Sequence, residues 1–257
     1  MLSLDLNADL GEGSPHDEAI MTYISSANIA CGYHAGDIAS MQAAIRAALR
    51  NGVAVGAHPG LPDRAHAGRR NQAIAPEQVR ELMLRQLDAL DRVARACGTG
   101  LRHVKAHGAL YNMAARDPVL ADALAAAVRQ FDANLILFAL SGSEMIRSAQ
   151  AHGLVTASEV FADRTYQPDG SLRPRDQEGA LILEPDRASA QVLEMIRHGS
   201  VLTRDGVRVP LLAETICVHG DTPGAVLLAK TIRGVLIQEQ VHITSPAIRT
   251  EFKSGQP

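Results

Sequence analysis

Seven times along the chain a short apolar run of strand length stops at a small or polar residue and gives way to a helical pattern. The runs are Leu2–Ala8, Ala27–Cys31, Val53–Ala57, Arg102–Ala106, Leu135–Leu140, Val155–Phe161 and Glu214–Val218. Strands that alternate with helices dictate parallel pairing, because each helix carries the chain back to the starting edge of the sheet. The carboxyl ends of all such strands then share one face. Six of the seven runs reach that face with His, Asp, Glu or Lys: LDLNADLGEG from Leu4, SANIACGYHAGD from Ser26, VAVGAHPGLPD from Val53, VKAHGALYN from Val104, SEVFADRTYQPDG from Ser158 and TICVHGDTPG from Thr215. The expected architecture is a parallel (β/α) barrel, seven-stranded and distorted from the eightfold TIM form, with one polar pocket at its mouth. An open doubly wound sheet is the alternative, but no GxGxxG follows the first strand to support a nucleotide fold.

The helices carry their own punctuation. Asp37 caps one on which Met41, Ile45, Ala48 and Leu49 keep a helical spacing until Asn51–Gly52. Pro76 opens the longest, with Val79, Leu82, Met83, Leu87, Leu90, Val93, Ala94 and Cys97 on one face and Gly98 at its end. Asp117–Pro118, Pro185 and Pro223 start three more, and a short one is expected over Pro15–Tyr23. Val201–Leu211 alternates around Asp205–Gly206, a hairpin that interrupts the strand and helix rhythm. One barrel domain over 1–244 and a polar tail over 245–257 follow from this order.

A chain of 257 residues that is 46% hydrophobic is long enough for one large core. Its net charge of −3 supplies no field for nucleic acid or anionic membrane, so a small polar ligand is expected. MLSLDLNADL has no cationic leader pattern and no stretch reaches membrane-spanning length, which places the expectation in the cytoplasm. Cys31, Cys97 and Cys217 are too scattered for a disulfide framework or a zinc ribbon and read as buried thiols.

Four of the ten histidines, His34, His58, His107 and His219, fall at the same structural position in four different units, alongside Asp9, Asp37, Asp221, Lys105 and Glu159. Such a cluster is able to supply general acids and bases, to hold a divalent metal such as Mg2+, or both. Asp9 with His34 and His58 is the most metal-like subset, although no local ligand pair such as HExxH is present. Of 25 basic residues only Lys105, Lys230 and Lys253 are lysine, and Lys105 shares a strand face with His107. A lysine kept there offers a compact cation to an oxyanion.

NADLGEG, SANIACGYHAGD, GAHPGLPD, GRRN, HVKAHGALYNMA, EVFADRTYQPDGSL and ICVHGD, in order from Asn7 to Asp221, resemble the motifs of the LamB/YcsF family, the A subunits of 5-oxoprolinases. Tyr33 stands where that family carries Phe, and Ala106 where it carries Pro. The resemblance implies a seven-stranded barrel similar to glycoside hydrolase and deacetylase barrels. It also implies cleavage of 5-oxo-L-proline to L-glutamate with ATP as co-substrate and with partner subunits B and C. Opening a stabilised lactam through a phosphorylated amide oxygen needs a base for water, an acid for nitrogen and a cation near oxygen. His107 or His34 is assigned as base, His219 with Asp221 as the acid pair and Lys105 as the cation, while Asp9 and His58 position water or metal. Asn28, Asp37, Arg69, Tyr111, Glu159 and Tyr166 are assigned to the substrate. Two other classes stay open: a stand-alone metal-dependent amide hydrolase or deacetylase, and a non-catalytic lactam-binding subunit.

Overall fold

Alternation in the first strand divides the molecule into an inside and an outside. In the computed structural model, which describes residues 2–220 and 224–247, β1 (Ser3–Leu10) turns Leu4, Leu6, Ala8 and Leu10 to the surrounding helices and Asp5, Asn7 and Asp9 to the barrel axis. The following strands are β2 (Ser26–Ala30), β3 (Ala54–His58), β4 (His103–Lys105), β5 (Ile136–Leu140) and β6 (Thr156–Phe161). After them come β7 (Ser200–Leu202), β8 (Arg208–Pro210), β9 (Thr215–His219) and β10 (His242–Ile243). The parallel order β1-β2-β3-β4-β5-β6-β9 closes through a β1–β9 pairing, giving a seven-stranded barrel. β10 adds to the first residues of β1, and β7–β8 is the antiparallel hairpin expected around Asp205–Gly206.

The helices α1 (Asp17–Met21), α2 (Ile38–Asn51), α3 (Pro76–Ala96), α4 (Gly108–Ala114), α5 (Pro118–Phe131), α6 (Glu144–Ala151), α7 (Pro185–His198) and α8 (Ala225–Gln238) surround the barrel. Their ends follow from local chemistry. The Asp37 carboxylate accepts the Ser40 amide at the start of α2, and Gly52 ends it at φ 67, where a side chain would be strained. Asp117 caps α5 ahead of Pro118, and Pro76 and Pro185 occupy first-turn positions in α3 and α7. Pro223, expected to open the last helix, and the tail beyond 247 lie outside the described residues. Val79, Leu82, Met83, Leu87, Leu90 and Ala94 form the buried stripe of α3. No helix among the described residues is long and apolar enough to cross a membrane.

Two environments result. The main core lies between sheet and helices, while Ile136, Phe138 and Ala157 form a separate small apolar cluster beside a mostly polar barrel interior. Fully buried polar groups there are hydrogen-bonded, as burial demands. Asp5 accepts the hydroxyls of Ser25, Ser26 and Thr215, Asn7 donates to Thr215 and Glu159, and Asn28 donates to Asn7 and Asp9. His103 packs against Phe138 and bonds Asn28, a position open only because residue 56 is glycine: a Cβ there would fall on the His103 ring.

Candidate active site

The sheet delivers alternate residues of five strands to the barrel mouth: Asp9 from β1, His58 from β3, Lys105 from β4, Glu159 and Phe161 from β6, and Cys217 and His219 from β9. His34 and Glu12 reach the same place from the loops after β2 and β1, and His107 follows β4. A cavity of about 540 Å3 opens on them, lined by Asp9, His58, Lys105, His107, Tyr111, Phe161 and His219 with arginine and polar side chains beyond.

Lys105 is the floor. Its Nζ is 2.8 Å from Asp9 Oδ1 and 2.8 Å from Glu159 Oε1, with Cys217 Sγ at 3.1 Å and the Phe161 ring beneath it. Burial works against its charge, but the carboxylates of Asp9 and Glu159 outweigh that and hold the ammonium well above the usual lysine range. Tyr111 donates its hydroxyl to Glu159 Oε2 at 2.7 Å, which fixes the carboxylate from its other side. Burial keeps the Cys217 thiol far above its ordinary value, so it is a packed thiol and not a thiolate.

The histidines form a second group. The His58 Nδ1–H donates to the Lys105 carbonyl at 2.8 Å, and the His107 Nε2–H donates to the Ala67 carbonyl at 2.8 Å. A carbonyl only accepts, so both rings turn their other nitrogens inward, 2.9 Å apart. Those nitrogens face Glu12 Oε1 at 3.1 Å from His107 and 3.7 Å from His58, and Asp9 Oδ2 lies 3.3 Å from His58. His34 stacks on His107 at 3.8 Å and meets Glu12 through Nε2 at 3.1 Å, while its buried Nδ1 has no partner among the described residues. Burial pushes His34 down to about 4, keeping it neutral at pH 7. Acceptors facing acceptors are balanced only by an added positive charge, either a proton on one ring or a metal ion.

The residues fit a metal. Asp9, His58 and His107 bring ligand atoms within 4.8 Å of one another, and so do Glu12, His34 and His107. Imidazole and carboxylate donors with the outer N–H on a backbone carbonyl are the usual surroundings of Zn2+, Mn2+ or Fe2+, whereas Mg2+ prefers oxygen alone. His34 thus sides with Glu12 and His107, not with Asp9 and His58. The long loop after β3 encloses the group: Arg64 ties it to the carbonyls of Gly32 and Gly36, and Ala109 donates to Gly68. Gly68, at φ +64, has no room for a Cβ, which would fall 2.8 Å from the His34 Cβ.

His219 faces the cavity from β9, beside Asp9 on the neighbouring strand. Its Nδ1 is 2.9 Å from both oxygens of Asp163, which also accepts its backbone amide at 3.1 Å. Burial opposes ionisation of Asp163, but the charge and hydrogen bonds of His219 hold it below the usual carboxylate range. The His219 Nε2 is left for the cavity, an orientation suited to moving a proton.

Asp221 lies outside the described residues, and the acid that His219 meets is Asp163. Arg69 and Tyr111 line the cavity. Asn28 sits below it and orients Asp9. Tyr166 is buried with its hydroxyl accepting the Phe161 amide, and Asp37 serves as the α2 cap, so neither lines the cavity. Sequence reasoning gave Glu12 and Asp163 no role, although both follow strand ends and that position is the available signal.

The LamB/YcsF family model matches residues 4–251. A relative from Bordetella pertussis strain Tohama I, the A subunit of its 5-oxoprolinase, is 51% identical over 246 residues, covering 94% of this chain and 98% of that protein. The crystal structure of the lactam utilization protein from Thermus thermophilus superposes with a TM-score of 0.89 at 41% identity, covering 95% of this chain and 100% of the other. The catalytic domain of a peptidoglycan N-acetylglucosamine deacetylase from Eubacterium rectale ATCC 33656 shares the fold alone, with a TM-score of 0.53 at 10% identity over 95% of this chain and 88% of its own. On its family match and its half-identical relative, the chain belongs to the LamB/YcsF family.

Proposed function

We propose that this chain is the subunit of an ATP-dependent 5-oxoprolinase in which the ring of 5-oxo-L-proline opens to L-glutamate, working with partner subunits B and C. The observation that carries the reading is the convergence on one cavity of a buried ammonium, an imidazole cluster and an Asp163-oriented His219. The names of the Bordetella and Thermus relatives support the substrate. No GxxxxGK[ST] motif occurs in the sequence, so phosphorylation is assigned to the partners.

The lactam oxygen takes the γ-phosphoryl group of ATP and ADP leaves. Water then adds to the activated carbon, giving its proton to the His107 and His58 cluster. The carbon–nitrogen bond breaks as His219, held by Asp163, protonates the departing nitrogen. A second water hydrolyses the resulting acyl phosphate to glutamate and inorganic phosphate. Lys105 keeps a fixed positive charge under the reacting carbon. Were a divalent ion held by Asp9, His58 and His107, with Glu12 and His34 beside them, their inward nitrogens would be ligands and not bases, and the ion would take over activation of the water and supply Lewis acidity.

The histidine cluster equally favours a second reading, a stand-alone metal-dependent amide hydrolase. Glutamate formation from 5-oxoproline, measured with this protein alone and with B and C added, separates the two. Activity that needs both ATP and the partners is the expected result. Turnover by the chain alone without ATP establishes the second reading, and competent partners that still yield no glutamate reject the first.

A further inference from the structure

The cavity lining carries a charge that the ring-opening groups do not use. Among the described residues, six arginines line it, Arg69, Arg70, Arg116, Arg164, Arg173 and Arg175, of which Arg70 pairs with Asp63, and the lining carboxylates are Asp9 and Asp176. Asp9 is committed to Lys105. Arg164 is the informative member. It is 4% exposed, and its Nη2 donates to the Arg173 carbonyl at 2.5 Å. Its Nε is buried without a partner among the described residues, and so is the Nε of Arg173. No ion pair to Arg164 is present among the described residues, and the nearby Asp163 is taken by His219. Burial, and then the charge of Arg175, push the Arg164 guanidinium down to about 10.

A buried guanidinium whose charge is offset only in part, by the neighbouring Asp163, is costly, and the excursion that carries it is well built. Backbone bridges Arg164–Leu181 and Tyr166–Leu172 fold residues 164–181 back on themselves, and Gln191 binds the carbonyls of Phe161, Ala162 and Arg164. Such a site is stable with an anion in it. A single carboxylate needs one guanidinium, whereas a tetrahedral dianion with several acceptor oxygens matches a convergent set. The cavity also exceeds what a five-membered ring with one carboxylate fills.

We propose that Arg164, with Arg173 and Arg175, forms a phosphoryl-binding subsite in the cavity that Lys105 and His219 also line. That the phosphoryl group arrives on the lactam oxygen rests on the function proposed above. The same chemistry is offered by the nucleotide, and the test separates the sources.

The full-length protein is titrated with inorganic phosphate, followed by 31P NMR or calorimetry, in parallel with acetate and with ATP in competition. The expected result is saturable binding of phosphate and not of acetate, weakened at least about tenfold by Arg164→Gln, the loss of one charge-assisted hydrogen bond. Melting curves report whether the variant folds, and Arg173→Gln, at a half-buried position, repeats the test if it does not. ATP that displaces phosphate in an Arg164-dependent way assigns the site to the nucleotide tail; ATP that does not assigns it to the lactam. No saturable binding of phosphate below about 10 mM, equal binding of acetate, or folded variants that bind phosphate within about twofold of wild type would overturn the subsite. Glutamate formation by the assembled complex is scored separately. An active complex without phosphate binding removes the subsite and leaves the ring-opening reading, and phosphate binding with an inactive complex does the reverse.

Discussion

Replacing Lys105 by Met keeps the length and apolar stem of the side chain and removes only its charge. In the folded protein that charge stands 2.8 Å from each of two carboxylates, Asp9 Oδ1 and Glu159 Oε1, in a barrel interior where Glu159 is fully buried. Removing one partner of a buried ion pair costs about 3–5 kcal/mol, because the remaining charge stays desolvated and unpaired. For a chain of this size each kcal/mol moves the melting temperature by about 2–4 °C, so Lys105→Met is expected to melt roughly 6–20 °C lower. Adding Glu159→Gln removes the more deeply buried of the two stranded carboxylates, and a coupling energy of about 1–3 kcal/mol should return in the double variant. Activity should not return, because the positive charge beneath the reacting carbon is still missing. Urea denaturation of the four proteins of the cycle, with glutamate formation by each in the assembled complex, gives both readouts. A Lys105→Met protein within about 1 kcal/mol of wild type, or a double variant no more stable than the single, would refute the reasoning that the ammonium braces two buried acids.

Three further expectations follow from single contacts. Asp5 is raised from 3.8 to about 6, chiefly by burial, so the folded protein holds that proton over a range where the unfolded chain has lost it. Its contribution is present below the unfolded value and is lost as pH rises to about 6, a slope of about 3 kcal/mol. Asp5→Asn should flatten that slope in denaturation curves between pH 4 and 6, and identical curves for the two proteins would count against it. Asp163→Asn removes the carboxylate that orients His219, and glutamate formation at saturating 5-oxoproline should fall about 10²–10⁴-fold with the fold retained. Unchanged turnover would remove the pair from the chemistry. Equilibrium dialysis against Zn2+ or Mn2+ should find one ion per chain, absent from His107→Ala and retained by Tyr111→Phe. Equal loading of wild type and His107→Ala would dismiss the histidine cluster as a metal site.

Much of the frame could be read along the chain because its signals are local. The apolar runs, the caps at Asp37 and Asp117 and the Asp205–Gly206 turn each depend on a few neighbouring residues, and all reappear as strand, helix or hairpin. The period of two also put Lys105 inside, as its 2% exposure bears out. What stayed hidden depends on how distant segments meet. Asp163 and His219 are 56 residues apart; strand counting makes β6 and β9 neighbours, but that Asp163 is the carboxylate beyond their ends that meets the imidazole depends on the course of the loop after β6. Helix α4 is only seven residues long and begins directly after His107, leaving too little periodicity to see. Arg164, Arg173 and Arg175 sit in a turn-rich excursion whose fold is set by bridges such as Arg164–Leu181. Asp37 belongs to a motif rich in reactive residues, yet its carboxylate is occupied with the amide of Ser40.

The central claim is that the ring opens on this chain and not on a partner. It is tested most directly by assembling B and C with a folded His107→Ala variant of this subunit and measuring ATP-dependent glutamate formation from 5-oxoproline. The account predicts a complex that assembles with wild-type stoichiometry and forms no glutamate above the background of B and C alone. Glutamate formation at the wild-type rate would contradict it and move the ring-opening step to another subunit.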